Sequence, residues 1–74
     1  MQISILEAKG TIWEGNAKEA ILPTSEGEMC VLDFHQPFLV KLKKGELHFP
    51  GKKIAIKYGI AFMKGNSLKA FVER

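Results

Sequence analysis

Short apolar segments, each interrupted within a few residues by glycine, proline or asparagine, run the length of this sequence. Phe38, Val40 and Leu42 occupy every second position of one such segment, and Lys41 and Lys43 face the other way. A period of two is typical of a half-buried β-strand, because successive side chains point to opposite faces. Turn residues that return about every 6–12 positions favour an antiparallel sandwich or barrel. The pattern therefore predicts an all-β chain.

We predict an antiparallel two-sheet β-sandwich, or flattened barrel, of about nine to ten short strands that forms one domain over residues 1–74. The predicted strands are 3–7, 11–14, 17–22, 29–32, 38–42, 46–49, 53–58, 60–64 and 68–72. Pro23 is expected to end its strand, and 23–27 to be a loop. A weak helical pattern over 9–22 is rejected because Gly10 and Gly15 interrupt it.

The small size of the chain suggests that it depends on a partner. A domain of 74 residues buries only roughly 60% of the surface that it exposes when unfolded. Cys30 is the one cysteine, so an internal disulfide is excluded, and a reducing compartment suits it best. The apolar runs are far shorter than a membrane helix, and no signal peptide is evident. The net charge of +3 is a weak indication of an acidic partner.

Residues able to carry chemistry are few, and the sequence predicts neither an enzyme, a metal site nor a cofactor. His48 lies within a predicted strand and is expected at the surface, whereas the loop residue His35 is the better functional candidate. No nucleophile or second base accompanies His35 in a recognisable spacing. Cys30 and Trp13 are interpreted as core residues, with a partner anchor as the alternative for Trp13. Gly59 is interpreted as a kink between sheets, with a bulge or close backbone approach as the alternative.

A small nucleic-acid-binding β-barrel is the alternative function. Lys41, Lys43 and Lys44 form the densest basic cluster, and such a barrel needs exposed aromatic residues among its basic ones. The nearby Phe38 and Phe49 are predicted to lie in the core instead, which disfavours this alternative.

The central segment, residues 22–47, resembles the epsilon subunit of rotary F-type ATP synthases. The matching positions keep the family's spacing without a gap: Leu22, Pro23, Gly27, Leu32, His35, Pro37, Leu39, Leu42, Gly45 and Leu47. The resemblance extends outward to Trp13-Glu14-Gly15 and to the C-terminal positions Gly59, Ala61, Leu68 and Glu73. It therefore covers essentially the whole chain.

The sequence departs from the family pattern at four places, where Thr24, Cys30, Asp33-Phe34 and Tyr58 replace residues that are mostly glycine or proline. Different loop shapes are expected near 24–30 and 33–35, because a residue other than glycine reaches a positive φ at a cost. The family usually continues into a C-terminal helical hairpin that can inhibit ATP hydrolysis. Since this sequence stops at Arg74, we expect either a truncation or a short natural form, without that inhibition.

The resemblance implies a non-catalytic rotor subunit that links the gamma subunit to the membrane c-ring during ATP synthesis coupled to proton transport. It implies a peripheral position on the cytoplasmic face of the inner, energy-transducing membrane, with membrane contact only through the c-ring and no nucleic-acid partner. The contact residues that it implies for the c-ring and gamma are Ser25, Glu26, Gly27, Glu28, Met29 and His35. Among these, Glu28, helped by Glu26, would pair with basic residues of the ring, and His35 would lie near the junction of ring and gamma.

Overall fold

The computed structural model describes all of residues 1–74 and contains nine β-strands and no helix. The strands are β1 Gln2–Glu7, β2 Gly10–Asn16, β3 Glu19–Thr24, β4 Gly27–Leu32, β5 Phe38–Leu42, β6 Gly45–Phe49, β7 Lys52–Ile56, β8 Tyr58–Lys64 and β9 Ser67–Glu73. Each predicted strand is present, and most observed strands extend one or two residues beyond the predicted bounds.

The strands form two layers. In the first layer, β2, β1, β9, β8 and β5 lie side by side in that order; in the second, β3 lies between β4 and β6, and β7 follows β6. A short pairing of Thr24 in β3 with Leu42 in β5 joins the layers into one curled sheet. The predicted all-β sandwich is confirmed, with one difference: β1 and β9 pair in parallel.

The core lies between the layers and consists of 16 buried apolar side chains. Alternate residues supply it, as in β9, where Leu68, Ala70 and Val72 are buried and the intervening residues are not. Trp13 joins the edge of this core by stacking on Phe49 of the other layer, with ring centroids 5.0 Å apart. Gly15 makes room for the indole, since a Cβ there would lie 2.9 Å from the ring. The predicted core position of Trp13 is correct.

The sequence predicted that Pro23 would end β3, and this prediction is wrong, because the strand continues to Thr24. Pro23 is buried, pairs with Glu28 of β4, and its carbonyl accepts a hydrogen bond from the Lys43 amide at 2.8 Å. The nitrogen of a strand residue points to the same side as its carbonyl, so the missing N–H of Pro23 faces the break between β5 and β6. Gly45 packs on the proline ring there, with 2.8 Å between a Cβ built on it and Pro23 Cβ. The predicted loop therefore shrinks to a turn at 25–26.

Two further predictions about single residues are wrong. Cys30 is exposed, because it points outward from the edge strand β4 while its neighbour Val31 is buried. Tyr58, placed at the end of the predicted strand 53–58, instead begins β8 and is 60% exposed. The chain turns at Lys57, between β7 and β8, and this break resets the alternation.

Lysines occupy one exposed edge of the fold. β7 is an edge strand, and it carries Lys52 and Lys53 at its start. Such charges oppose edge-to-edge pairing with another molecule. Lys64 and Lys69 lie on the central strands β8 and β9, so they do not protect an edge.

Candidate partner-binding surfaces

The turn segment, defined as residues 25–29, caps the hairpin of β3 and β4. The Thr24 hydroxyl donates to the Gly27 carbonyl at 2.5 Å and accepts from the Glu26 amide at 3.3 Å. Gly27 has a φ of 119°, a conformation that residues with a Cβ rarely adopt. The Ser25 amide donates to the Lys41 carbonyl at 3.1 Å and so anchors the turn to β5. The turn segment is therefore a fixed platform.

Glu26 and Glu28 present their carboxylates from this platform. Both residues are exposed, and the three ion pairs of the structure involve other residues. They are thus available to a cationic partner. Met29 differs, because it is only partly exposed and packs against the core. Among the predicted contact residues, Met29 therefore packs into the fold and is less available to a partner than Glu26 and Glu28.

His35 lies in the loop between β4 and β5, which we call the His35 loop, residues 33–37. It is half-buried, its amide donates to the Leu32 carbonyl at 3.1 Å, and its Nδ1 lies 2.9 Å from the Gln36 carbonyl oxygen. The edge of its ring meets the Phe38 ring, with centroids 5.3 Å apart and planes at 87°. The imidazole orientation is therefore set by packing, and Nε2 is left for a partner.

The neighbours of His35 hold the loop in place. Asp33 pairs with the amino group of Met1, and its amide donates to the Lys18 carbonyl at 3.0 Å. Phe34 has a φ of 61°, is 80% exposed, and donates its amide to Asn66 Oδ1 at 2.7 Å. We expected the replacement of glycine to change the shape of this loop because a positive φ is costly for other residues, yet Phe34 adopts a positive φ all the same. The two departures near the turn segment, Thr24 and Cys30, lie in regular strands instead.

The structure does not bring the turn segment and His35 together. The turn itself, residues 25–26, and His35 lie beyond opposite ends of β4, whose six residues span roughly 20 Å. The whole molecule measures 27 × 26 × 21 Å, so this separation is close to its full width. The predicted contact residues thus form two surfaces, one at each end.

Groups suited to chemistry do not cluster at either end. The structure has no set of three or more His, Cys, Asp or Glu residues close enough to hold a metal ion. It also has no helix that is long and apolar enough to span a membrane. The one ion pair that moves a pKa joins the exposed side chain of Arg74 to the partly exposed carboxylate of Glu7 at 2.8 Å. Its hydrogen bonds lower the pKa of the Glu7 carboxyl and raise that of the Arg74 guanidinium.

Sequence reasoning missed a group of exposed apolar side chains. Leu39 is 72% exposed, Phe71 51% and Ile60 47%, all on strands of the first layer. The signal was present in β8, where Tyr58, Ile60 and Phe62 alternate with the buried Ala61 and Met63. A strand that is apolar on both faces indicates burial on both faces or an interaction surface.

Comparison with known proteins identifies the family to which this β-sandwich belongs. The model of the family "ATP synthase, Delta/Epsilon chain, beta-sandwich domain" matches residues 1–74. The chain therefore belongs to the delta/epsilon family of ATP synthase β-sandwich domains.

Relatives of the chain include chloroplast and cyanobacterial proteins. The chloroplastic ATP synthase epsilon chain of Tetradesmus obliquus is 39% identical over 72 residues, which cover 92% of this chain and 53% of that protein. That of Chlamydomonas reinhardtii is 37% identical over 92% of this chain and 55% of its own length. The ATP synthase epsilon chain of Microcystis aeruginosa is 32% identical over 95% and 54%, respectively. The chain thus spans about half the length of these relatives.

Solved structures share the fold. One is the mitochondrial ATP synthase central stalk and c-ring of Tetrahymena thermophila, with a TM-score of 0.83 at 13% identity over 100% of this chain and 63% of that chain. Another is the mitochondrial ATP synthase of Euglena gracilis, solved as OSCP/F1/c-ring, with a TM-score of 0.82 at 23% identity over 97% and 49%. At these identities the likeness establishes the β-sandwich architecture.

Proposed function

We propose that this chain is the β-sandwich domain of a non-catalytic central-stalk subunit of an F-type ATP synthase. It links the gamma subunit to the c-ring and so takes part in ATP synthesis coupled to proton transport. It lies peripherally on the cytoplasmic face of the energy-transducing membrane and meets that membrane only through the c-ring. Membership of the delta/epsilon family supports this proposal.

The separation of the two candidate surfaces is the observation that carries the proposal. A subunit that bridges a shaft and a ring needs two contacts that do not compete for the same surface. The turn segment and the His35 loop lie at opposite ends of β4 and satisfy this need. We assign the turn segment to the c-ring, with Glu28 facing basic residues of the ring loops, and the His35 loop to gamma.

A subunit that transmits torque must also be stiff. Of the 47 backbone hydrogen bonds, 40 lie within the strand ladders, and the pairing of β3 with β5 ties the two layers together. The close-packed core resists compression because its side chains interdigitate with few voids. The stack of Trp13 on Phe49 adds a further rigid link between the layers.

Co-sedimentation with purified c-ring tests the assignment of the turn segment. Glu28→Lys reverses a charge that faces the ring, so we expect ring binding to weaken about tenfold at physiological salt. Glu19→Lys is the matched control, since Glu19 is an exposed carboxylate at the opposite end of the β3–β4 hairpin. Ring binding that is equal in the two variants removes Glu28 from the contact.

The gamma assignment has its own test. His35→Ala is expected to weaken binding to isolated gamma and to leave binding to the c-ring unchanged, because the two surfaces lie at opposite ends of the domain. Unchanged gamma affinity in His35→Ala places His35 outside that interface.

A further inference from the structure

Two residues other than glycine have a positive φ in this structure, and a hydrogen bond joins them. Phe34 in the His35 loop has a φ of 61°, and Asn66 between β8 and β9 has a φ of 56°. The Phe34 amide donates to Asn66 Oδ1 at 2.7 Å. Asparagine adopts a positive φ more readily than a bulky residue such as phenylalanine does. The bond therefore ties an unfavourable backbone conformation in one loop to a side chain in another.

The backbone around Phe34 forms a β-turn over residues 32–35. The His35 amide donates to the Leu32 carbonyl at 3.1 Å, which closes the turn. Asp33 occupies the second position with a negative φ, and Phe34 occupies the third with a positive φ. These signs are those of a type II turn, in which glycine or asparagine ordinarily takes the third position. Phe34 therefore occupies a position for which its side chain is poorly suited.

A type I turn is the alternative conformation for the same four residues. Both turn types allow the hydrogen bond from the fourth residue to the first, and they differ mainly by a half rotation of the central peptide, here the one that joins Asp33 to Phe34. That rotation gives the third residue a negative φ, which suits phenylalanine, but it points the Phe34 N–H away from Asn66. The hydrogen bond to Asn66 is therefore compatible with only one of the two turn types.

Asn66 is held in place independently of the His35 loop. It forms the two-residue turn of the β8–β9 hairpin together with Gly65, whose φ is 58°. Positive φ values at both central residues are typical of a type I′ hairpin turn, which asparagine and glycine favour. The Asn66 carbonyl accepts a hydrogen bond from the Gln2 amide at 3.1 Å, which joins the turn to β1. A fixed element therefore presents the carboxamide oxygen to Phe34.

We propose that the Asp33–Phe34 peptide is a two-state element and that Asn66 is the positioning residue that holds it in the type II state. The hydrogen bond between Phe34 and Asn66, which we call the latch, fixes the direction in which the 80% exposed Phe34 ring projects beside His35. When the latch opens, Phe34 relaxes to a negative φ and its ring turns, so the surface that the His35 loop offers to a partner changes. The inference goes beyond the proposed function and needs no particular partner, so its failure would leave that function untouched.

Nuclear magnetic resonance of the folded chain tests the latch. Asn66→Gly removes the acceptor and keeps a residue suited to the hairpin turn, whereas Asn66→Asp retains an oxygen acceptor. In a type II turn the Asp33 Hα lies close to the Phe34 amide proton, and in a type I turn it lies farther away. In Asn66→Gly we expect the nuclear Overhauser effect between these protons to fall at least about twofold, and Phe34 amide exchange to accelerate about fivefold, as for the loss of one ordinary hydrogen bond. Asn66→Asp should change neither quantity.

Asn16→Gly is the matched control, because Asn16 is an exposed residue at the end of β2. Circular dichroism of each variant establishes that it is folded. If Asn66→Gly alters Phe34 no more than the control does, the latch is overturned.

A double-mutant cycle with Phe34→Gly tests the backbone strain. Glycine adopts a positive φ without steric cost, so Phe34→Gly is expected to raise the folding equilibrium constant about fivefold while Asn66 is present. In Asn66→Gly the turn has already relaxed, so Phe34→Gly should raise that constant less than about twofold. Equal stabilisation in the two backgrounds shows that the strain persists without Asn66, and this result overturns the inference.

Discussion

Gly59 lies within the first layer, between Leu42 of β5 and Val72 of β9. A Cβ at this position would overlap the backbone carbonyl of Phe71, which cannot move without breaking the ladder. The sequence interpretation of a kink between sheets is therefore replaced by the alternative, a close backbone approach. Glycine is required here for space, since the residue has no positive φ.

Gly59→Ala is expected to lower the free energy of unfolding by about 2–3 kcal/mol, because the added methyl forces β8 and β9 apart. Urea denaturation measures the effect. Ala55→Ser, at an exposed position of β7, is the control and should change stability by less than about 0.5 kcal/mol. A Gly59→Ala variant as stable as the control would contradict the observed packing.

Phe34 is a bulky residue in a backbone conformation that favours glycine, with a positive φ of 61°. Phe34→Gly is expected to raise the free energy of unfolding by about 1 kcal/mol, since glycine adopts this conformation without steric cost. Phe34→Ala is the informative control, because it removes the ring and retains the Cβ. If thermal denaturation shows Phe34→Ala to be as stabilising as Phe34→Gly, the exposed ring and not the backbone is the source of the strain.

At the scale of the element, the β3–β4 hairpin depends on the hydroxyl of Thr24, which is 8% exposed and bonds to both sides of the turn. Thr24→Val keeps the shape and removes both hydrogen bonds, so we expect a loss of about 1–2 kcal/mol in stability. Amide exchange of Glu26 should accelerate at the same time. Thr11→Val, at an exposed site of β2, should change neither quantity.

The strands themselves could be predicted because their alternation is local. β9 illustrates this, since its buried residues Leu68, Ala70 and Val72 follow a period of two without interruption. The predictions failed at Pro23 and Tyr58, where the tertiary structure interrupts the local pattern. Pro23 stays in β3 because its missing N–H faces a gap in the ladder, and Tyr58 changes face because the chain turns at Lys57. Neither event is visible in the periodicity.

The candidate site could be predicted residue by residue but not as an arrangement. The resemblance supplied the turn segment and His35, and only seven positions separate Glu28 from His35. Because β4 is extended, this short separation along the sequence places the two residues at opposite ends of the molecule. The exposed apolar side chains of the first layer were missed because alternation assigns one apolar face to a strand, and β8 has two.

At the scale of the whole molecule, the chain is a rigid sandwich, and its two ends are the contacts that we propose for its partners. The ends are joined through continuous ladders, from the turn segment along β4 to the His35 loop. A force applied at one end is therefore transmitted through hydrogen-bonded strands and a packed core. This arrangement predicts that gamma and the c-ring bind the chain simultaneously.

Site-directed cross-linking in a stalk reconstituted from this chain, gamma and the c-ring tests that claim most directly. With the exposed Cys30 replaced by serine, Ser25→Cys and Gln36→Cys each place one thiol at one end of the molecule. A photoactivatable maleimide on Ser25→Cys is predicted to cross-link to the c-ring, and on Gln36→Cys to gamma. Cross-links from both positions to the same partner, or from neither, would contradict the account.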